Sequence, residues 1–415
     1  MTTALVTGGG IVGLNVALAL QDKGFAVTLV DAEATRSGAS YGNAGHIAIE
    51  QVEPLASMAM VRSAPRRLYP ASALALPLAA IRHWLPFSFA LLKAARPERF
   101  ACGKAALSAL MHQAMPAWVR RVEAIGAADL LRQDGHFLVW ESAESARGGL
   151  VRWTQTDTGT ARFRVATDDE LKQLAQVTTT PIHGAIRFEN TGQIADPARL
   201  LERLESVFVA RGGTVRIAQV ARLTQTGGVA AVELEGGERL TAATIVVSAG
   251  VRSKGLLEPL GVKVPMVAER GYHIQSSAHM WPSRLPPVVF EDRSMIVTGF
   301  EGGLRAASFV EFAGVDDPAD PGKWRRLRGH VRDLGLPFGS VEDAAQWFGA
   351  RPTLPDYLPA IGRMQQLPNL YYAFGHQHLG LTLGPVTGEI VAEMVVGGDG
   401  STELSLAPFS LERFL

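Results

Sequence analysis

The sequence predicts an α/β protein whose two domains interleave along the chain. At 415 residues the chain is longer than one compact core usually takes. Its amino-terminal strand–turn–helix–strand pattern indicates a Rossmann-like domain, and no low-complexity linker separates this pattern from the rest. We therefore expect a Rossmann-like domain from residues 1–80, 188–262 and 346–415, and a mixed-sheet α+β domain from residues 81–187 and 263–345.

Composition restricts the functional classes. The chain is 47% hydrophobic and 19% charged, which suits a large core and excludes a disordered protein. Lysine plus arginine and aspartate plus glutamate both number 40, so no net charge favours nucleic acid. The single cysteine, Cys102, rules out a disulfide framework and favours a reducing, cytoplasmic compartment. MTTALVTGGG has no signal-peptide pattern and predicts a retained strand.

The segment from Leu55 to Arg121 is unusually basic. It carries one acidic residue, Glu98, against ten lysines and arginines, and it is rich in apolar side chains. This pattern suits either a pair of buried helices with basic edges or a surface that contacts anionic lipid at the inner membrane. Pro77, Pro86 and Pro97 are expected to break a long amphipathic helix, which favours the buried helices. No apolar run approaches the roughly 18 residues of a membrane span.

The first motif is a GxGxxG turn at Gly8, Gly10 and Gly13, between a short apolar strand and a helix. In a dinucleotide site the first glycine permits the tight turn, the second admits a pyrophosphate, and the third lets the helix pack on the strand. The helix amino terminus favours phosphate. A second strand, Phe25 to Val30, ends at Asp31, which is placed to accept the ribose hydroxyls and disfavours a 2′-phosphate. NAD and FAD both remain.

The next segments favour FAD. After Asp31 the chain continues as AEATRSGASYGNAGHIA, a small, polar, glycine-rich loop where an NAD domain would continue into a helix. GGTVRIAQVARL and VAAVELEGG predict strands of a small meander, and an apolar strand ends at Ser248–Gly250. A protein that binds NAD without flavin is the least favoured alternative.

With these segments in place, the chain resembles the D-amino acid oxidase superfamily of flavoproteins, and within it the bacterial D-amino acid dehydrogenases. The resemblance covers essentially the whole chain. The matching motifs in order are the GxGxxG unit with Asp31, SxxNxGxI from Ser40 to Ile47, ADPARL from Ala195, VVSAG from Val246, PMVAERGYHI from Pro265, GARPTLPDYLPAIG from Gly349, and GHQHLGLTLGPVTG from Gly375.

The resemblance implies a set of FAD-binding residues. They are Gly8, Gly10, Ile11, Val12, Gly13, Asp31, Ala32, Ser40, Asn43, Ala44, Gly45, His46, Ile47, Val220, Ala249, Gly250, His376, Gln377, His378, Leu379, Gly380, Leu381 and Thr382. We expect the FAD to be non-covalent. Cys102 lies far from the flavin loops, and Asn43 stands where some relatives have the attaching histidine.

The histidines of GHQHLGLT could suggest a metal site. A metal needs three or four ligands, and no CxxC or HExxH pattern supplies partners for His376 and His378, so no metal is predicted. The segment instead predicts a strand at Leu370 to Phe374, a glycine turn and a helix from about Gly384. By resemblance this turn contacts the flavin, where its N–H groups stabilise charge on the reduced ring.

The resemblance also implies that Arg351 pairs with a substrate carboxylate, which suits the bidentate fork of a guanidinium. A structural ion pair is the alternative. His46, Tyr272 and His378 are further candidates for the catalytic site. The alternative for Tyr272 is a packing role, and the alternative for His378 is contact with the flavin without a role toward the substrate. Some relatives have a tyrosine that binds the substrate carboxylate on the strand that appears here as SMIVTG, and this chain has Met295 near that position. This difference argues against a glycine-oxidase-like enzyme.

The expected reaction is oxidative deamination of D-amino acids to 2-oxo acids and ammonia, with hydride passing from Cα to the flavin and electrons passing to a quinone or another acceptor. One alternative keeps the fold but uses secondary amines, such as D-hydroxyproline, D-proline, sarcosine, or glycine. A second is an FAD-bearing subunit for electron transfer or assembly. The basic segment weakly favours a membrane quinone.

Overall fold

The computed structural model describes residues 1–35, 37–67, 73–397 and 405–415. Within these residues there are ten α-helices and twenty-one strands. The helices are α1 (Ile11–Asp22), α2 (Met58–Arg67), α3 (Ile81–Ala94), α4 (Pro97–Ala124), α5 (Ala143–Gln155), α6 (Asp168–Leu174), α7 (Pro197–Ala210), α8 (Ser253–Leu257), α9 (Pro321–Asp333) and α10 (Gly380–Val395). The strands are β1 (Thr3–Thr7), β2 (Ala26–Asp31), β3 (His46–Ile47), β4 (Leu74–Ala75), β5 (Leu131–Arg132), β6 (His136–Trp140), β7 (Phe163–Val165), β8 (Gly184–Phe188), β9 (Gly192–Ile194), β10 (Thr214–Ile217), β11 (Val220–Thr226), β12 (Val229–Leu234), β13 (Arg239–Leu240), β14 (Thr244–Val247), β15 (Val267–Ser276), β16 (Val288–Phe290), β17 (Met295–Phe300), β18 (Gly303–Ala313), β19 (Ala345–Thr353), β20 (Ala360–Arg363) and β21 (Leu370–Phe374).

A six-stranded sheet has the order β10-β2-β1-β14-β21-β20, and all of its neighbours are parallel except β20. The turns after β1, β2, β14 and β21 therefore meet at one edge of the sheet. The prediction of an α/β protein with a Rossmann-like sheet is confirmed.

A nine-stranded mixed sheet has the order β19-β15-β18-β17-β16-β6-β8-β7, with β4 beside β18. Helix α9 packs on one face through the buried side chains of Leu327 and Val331. Two small sheets, β11-β12-β13 and β3-β9-β5, complete the fold. The domain division stays a prediction. Its boundary at residue 346 would give β19 to the Rossmann-like domain, although β19 pairs with β15 of the nine-stranded sheet.

Helix α10 begins earlier than the sequence indicated. It starts at Gly380, whereas the pattern around Pro385 predicted a start near Gly384. A proline inside a helix leaves the carbonyl four residues earlier without its usual donor. Here that carbonyl belongs to Leu381, and the indole Nε1–H of Trp118 donates to it at 3.0 Å. A contact from α4 therefore replaces the missing helical hydrogen bond and lets the helix extend backwards past the proline.

The basic segment forms α2, α3 and most of α4. The expectation that Pro86 breaks the helix was wrong, because Pro86 lies inside α3. Phe87, Leu91 and Ala94 bury one face of α3 and hold it in place despite the proline. Pro97 is the first residue of α4, a position where its fixed φ suits a helix. No helix among the described residues combines the length and the apolar character that crossing a bilayer requires.

Helices α1 and α10 cross at very close range. A Cβ atom added to Gly388 of α10 would lie 2.5 Å from the main-chain oxygen of Asn15 in α1. The two helices follow the parallel strands β1 and β21, so they run in the same direction and point their amino termini at the same sheet edge. Glycine at position 388 thus allows two positive helix ends to lie side by side.

We predict that Gly388→Ala destabilises the protein by about 1–3 kcal/mol, because the added methyl group overpacks a rigid backbone contact. The free energy of unfolding in denaturant measures the change. Gly148→Ala is the matched control, since Gly148 is a helical glycine of α5 with open space around its would-be Cβ atom. The control should be neutral or gain about 0.5–1 kcal/mol. Equal stability of the Gly388→Ala variant and the wild type would contradict the prediction.

Candidate functional site

The GxGxxG turn is shaped by backbone contacts that only glycine permits. Gly8 has a φ of +95°, and a Cβ atom on it would lie 2.5 Å from the main-chain oxygen of Ser248 after β14. A Cβ atom on Gly13 would lie 1.8 Å from the oxygen of Gly8. Strand β1, its turn and the first turn of α1 are thus pressed together, as a dinucleotide site requires.

Asp31 and the start of α1 complete this cradle. The backbone N–H of Gly9 donates to Oδ2 of Asp31, and the N–H of Glu33 donates to Oδ1 at 2.9 Å. Gly10, the first residue before α1, provides no side-chain cap, and the first turn of α1 has no acidic residue. The positive end of α1 carries no acidic side chain of its own and fits a pyrophosphate. The Asp31 carboxylate at the end of β2 lies beside it and fits the ribose of a dinucleotide.

The neighbouring residues of the predicted set border this cradle. Ile11 and Val12 begin α1, and the N–H of Ile11 donates to the Ser40 hydroxyl at 2.9 Å. Ala32 directly follows β2. Val220 begins β11 in the small meander, two residues after Ala218, whose N–H donates to the carbonyl of Asp31. Ala249 and Gly250 follow β14.

The loop from Ser40 to Ile47 is held against the nine-stranded sheet. Arg305 of β18 donates to the carbonyls of Tyr41 and Asn43, and the Thr298 hydroxyl donates to the carbonyl of Ala44 at 3.0 Å. Burial lowers the pKa of Arg305 to about 10, so it remains a cation at neutral pH. Gly45, with a φ of +75°, receives the side chain of Asn43 on its N–H. The loop is therefore a fixed wall of the site.

The segment from His376 to Leu379 forms a tight turn before α10. His376 shares a hydrogen bond of 2.9 Å with the Thr387 hydroxyl, whereas His378 contacts the side chain of Gln51. The Thr382 hydroxyl accepts from the N–H of Ala48 at 3.0 Å. Burial lowers the pKa of His376 to about 3 and that of His378 to about 4, so both imidazoles are neutral at neutral pH.

The two histidines of this turn do not converge on a common point. Among the described residues, the cluster with ligand atoms close enough for a metal is His46, Glu50 and His136, and it contains neither His376 nor His378. Leu379, Gly380 and Leu381 continue from the turn into α10, so the positive end of this helix also points into the site. The turn thus presents neutral groups and backbone N–H dipoles.

Arg351 lies on the face of the nine-stranded sheet that meets this turn. Its Nη1 donates to Oε1 of Glu269 at 3.1 Å and to the carbonyl of Phe309 at 3.3 Å. Phe309 has a φ of +74°, where β18 shifts register against β15. A Cβ atom on Gly271 would lie 2.3 Å from Nη2 of Arg351, so a glycine is needed beneath the guanidinium. The Arg351 side chain is 26% exposed.

The structure therefore contains the ion pair that is the alternative role of Arg351. The partner in this pair, Glu269, has a second donor as well. Glu269 is buried and also accepts from the hydroxyl of Thr353 at 3.1 Å. Both hydrogen bonds of the guanidinium use Nη1 and orient its plane, and the side chain stays partly exposed. An arginine oriented in this way can still receive a carboxylate.

The structure corrects the interpretation of Tyr272. Residues alternate along β15, and Tyr272 points to the opposite face from Glu269 and His273, into the core under α9. Its hydroxyl donates to Glu311 at 2.5 Å, and Glu311 also pairs with Arg270 at 3.0 Å. Tyr272 belongs to a buried polar network, and we do not retain it as a substrate-contacting residue.

The sequence did not indicate several groups that border the site. Glu269 could have been found, because the period of two along β15 places it on the face of His273. Trp347 stacks on His273 at 4.9 Å and donates its indole N–H to the carbonyl of Ser37. Glu50 and Gln51 carry no motif. Glu50 lies four residues after the predicted His46, whereas only the packing of distant segments brings Gln51 to His378.

The segments converge at one place. Thr353, two residues after Arg351, forms a β-bridge with His376, and the side chain of Gln377 donates to the carbonyl of Tyr357 at 2.6 Å. His378 then contacts Gln51. The arrangement brings an arginine, neutral imidazoles and two helix amino termini together beside a cradle that fits a dinucleotide.

Comparisons with known proteins agree with this geometry. Residues 3–394 match the DAO family, described as FAD-dependent oxidoreductases. The chain is 30% identical to the D-amino-acid oxidase of Bradyrhizobium diazoefficiens, over 99% of this chain and 98% of that protein. It is 29% identical to the D-amino acid dehydrogenase 2 of Pseudomonas aeruginosa, over 94% of each. The fold is shared with the glycine oxidase of Geobacillus kaustophilus, at a TM-score of 0.71 and 20% identity over 100% of both chains. The chain therefore belongs to the DAO family of FAD-dependent oxidoreductases.

Proposed function

We propose that this protein oxidises D-amino acids to 2-oxo acids and ammonia and passes the electrons to a quinone or another acceptor. The observation that carries the proposal is the oriented, half-open guanidinium of Arg351 next to the His376–Leu379 turn. The names of the two curated relatives, a D-amino-acid oxidase and a D-amino acid dehydrogenase, support the choice of substrate.

Arg351 binds the substrate carboxylate in this proposal. A carboxylate gains two charge-assisted hydrogen bonds from a planar guanidinium, and the pair fixes the orientation of Cα. Glu269 positions the guanidinium, and Gly271 leaves room for it against β15. His46 and His378 remain proposed residues of the substrate side. The contact between His378 and Gln51 joins the turn before α10 to the segment that follows His46.

The FAD that the family implies fits the cradle of this chain. Gly8, Gly10 and Gly13 would hold the pyrophosphate with the start of α1, and Asp31 would accept the ribose hydroxyls. The buried side-chain oxygen of Gln377 has no partner among the described residues, so it is ready to accept from a ligand. When bound, FAD supplies a two-electron acceptor for the hydride of the substrate.

Non-covalent binding of FAD is part of the proposal. The single cysteine, Cys102, is exposed on α4 and does not belong to the segments that border the cradle. Asn43 uses its side chain to cap the N–H of Gly45, and an amide is not a nucleophile for the flavin ring. Denaturation is therefore expected to release the FAD.

A quinone acceptor would require contact with a membrane, and α3 offers a surface for it. Its outward stripe consists of exposed apolar side chains at helical spacing: Leu78 just before the helix, then Ile81, Leu85, Phe89 and Leu92. Arg82 and Lys93 flank the stripe. An apolar stripe bordered by cations suits an anionic lipid surface. Beside α3 is a cleft of about 1230 Å³ that extends to Val267 and Ala268, directly before Glu269.

The first test is the visible spectrum of the purified holoprotein under anaerobic conditions with single amino acids and amines. D-amino acids should bleach the flavin absorption and their L-enantiomers should not, because a fixed carboxylate lets only one enantiomer present its α-hydrogen to the flavin, and the names of the two relatives indicate the D form. Bleaching by D-proline, hydroxyproline or sarcosine alone would move the assignment to secondary amines. A yellow protein that no amine bleaches would contradict the proposal and favour an electron-transfer or assembly subunit.

Arg351→Lys is expected to lower kcat/KM for the bleaching substrate by about 10- to 100-fold, mainly through KM, because a lysine provides one point charge instead of a bidentate fork. Steady-state kinetics with an artificial electron acceptor measures the change. Arg293→Lys is the matched control: Arg293 pairs with Glu141 on the far side of the nine-stranded sheet and should leave kcat/KM unchanged. A wild-type KM in the Arg351→Lys variant would show that the substrate carboxylate binds elsewhere.

Replacing Leu85 and Phe89 together by serine should weaken binding to anionic vesicles at least tenfold, because each side chain buried in the bilayer interface contributes about 1.5–3 kcal/mol. Sedimentation with vesicles containing or lacking anionic lipid measures it. Val151→Ser, which changes an exposed apolar residue of α5, is the control. Equal sedimentation of wild type and variant, or no sedimentation of either, would rule out this surface.

A further inference from the structure

The side chains of His46, Glu50 and His136 form a cluster at the end of the loop from Ser40 to Ile47, with Glu50 and His136 buried and His46 11% exposed. His46 begins β3, and its Nε2 lies 2.9 Å from Oε1 of Glu50, four residues later. The ring of His136 from β6 meets the ring of His46 edge-on at 4.4 Å and stacks on Phe188 at 4.5 Å. Nδ1 of His136 is occupied by the hydroxyl of Thr191 at 2.8 Å. The cluster therefore holds the His46 ring in one orientation.

The protonation states of the cluster follow from its partners. Burial has the largest single effect on the pKa of Glu50 and raises it, but the neighbouring imidazoles and hydrogen bonds together outweigh burial and hold the pKa below its usual range. Glu50 is thus a carboxylate, which can only accept, so Nε2 of His46 carries the hydrogen. Burial lowers the pKa of His136 to about 3, so this neighbour adds no charge at neutral pH.

The remaining nitrogen of His46 is the unusual feature. Its Nδ1 is buried and has no hydrogen-bond partner in the described part of the chain. A buried polar atom without a partner is costly, and such atoms are most often paired with protein or ligand. Because Glu50 engages the opposite side of the ring, Nδ1 is the atom of His46 that can take up a proton.

His46 lies among the segments that meet at Arg351. Glu50 is followed by Gln51, which contacts His378, and Thr353 next to the Arg351 motif bridges to His376. Burial has the largest effect on the pKa of His378, and Glu269, Arg351, Glu50 and His46 also act on it electrostatically. These four groups therefore surround one imidazole. The titratable groups facing His46 itself are Glu50, His136 and His378.

We propose that His46 is the base that accepts a proton from the substrate ammonium and that Glu50 is its positioning carboxylate. This inference rests on the proposed oxidation of an amino acid. The N–H bond of the ammonium breaks, an Nδ1–H bond forms, and the electron pair stays on the substrate nitrogen. That pair would then form the C=N bond while the α-hydrogen and its two electrons are accepted by the FAD that the family implies. Glu50 offsets the positive charge on the imidazole, as a carboxylate does in other carboxylate–histidine pairs.

The pH dependence of anaerobic flavin reduction in the holoenzyme tests the proposal, with the amine that bleaches the wild type as substrate. His46→Asn cannot accept the proton, and Glu50→Gln keeps an acceptor for Nε2–H but removes the charge. At neutral pH we expect reduction by His46→Asn to be about 100-fold slower, the usual size of a general-base contribution. The rate of this variant should rise about tenfold per pH unit as bulk water deprotonates the substrate. Glu50→Gln should lie between this variant and the wild type.

Two further measurements separate a base from a structural residue. The 2-oxo acid product has no ammonium, so its Kd, read from the flavin spectrum, should be the same in wild type and His46→Asn. The FAD content of the purified variants should also be unchanged. His183→Asn, which replaces an exposed histidine, is the matched control and should keep the wild-type pH profile.

Several outcomes would overturn the proposal. A rate of His46→Asn that is lowered equally at every pH, or not lowered at all, would exclude proton acceptance. Loss of FAD from His46→Asn would assign Nδ1 to the cofactor instead. A stoichiometric metal ion in the purified protein would make His46, Glu50 and His136 ligands, since their ligand atoms lie within 4.8 Å of one another. A wild-type flavin that no amine reduces would overturn this inference together with the proposed function, whereas the other outcomes leave that function intact.

Discussion

The close contact between α1 and α10 is the constraint on which the site depends. Gly388 leaves no side chain between α10 and the backbone of Asn15, and Gly13 does the same between α1 and the turn at Gly8. Two parallel helices can then end over the same sheet edge, and their positive ends meet there. A larger residue at position 388 would push α10 away from α1, and one at position 13 would push α1 away from the turn at Gly8.

The nine-stranded sheet supplies the second half of the site because its two faces carry different chemistry. On the face under α9, Arg270 and Glu311 form a buried ion pair that is also bonded to Tyr272. On the opposite face, Glu269 orients Arg351. A buried ion pair is weak evidence for stability, since desolvation offsets its attraction, but leaving one partner alone would be costly. The alternation along β15 therefore places two separate charge networks on opposite faces of the sheet.

The electrostatic character of the site comes mostly from burial. Burial lowers the pKa values of His136, His376 and His378 so far that these imidazoles are neutral at neutral pH. Among the described residues, the charged groups near this site include the guanidinium groups of Arg305 and Arg351 and the carboxylates of Glu269 and Glu50. A site with few charges in a low dielectric makes each charge effective, which suits binding a carboxylate and controlling one proton.

The sequence by itself determined the α/β fold and the dinucleotide cradle, because glycine spacing, strand periodicity and the terminal Asp31 are properties of neighbouring residues. Strand alternation would also have shown that Tyr272 and Glu269 face opposite sides. Only the tertiary structure decided that Trp118 lets α10 pass Pro385, and that Glu50 and Gln51 reach His46 and His378. The partners in the contacts of Trp118 and Gln51 lie hundreds of residues apart, so they depend on packing between distant segments and leave no local pattern in the chain.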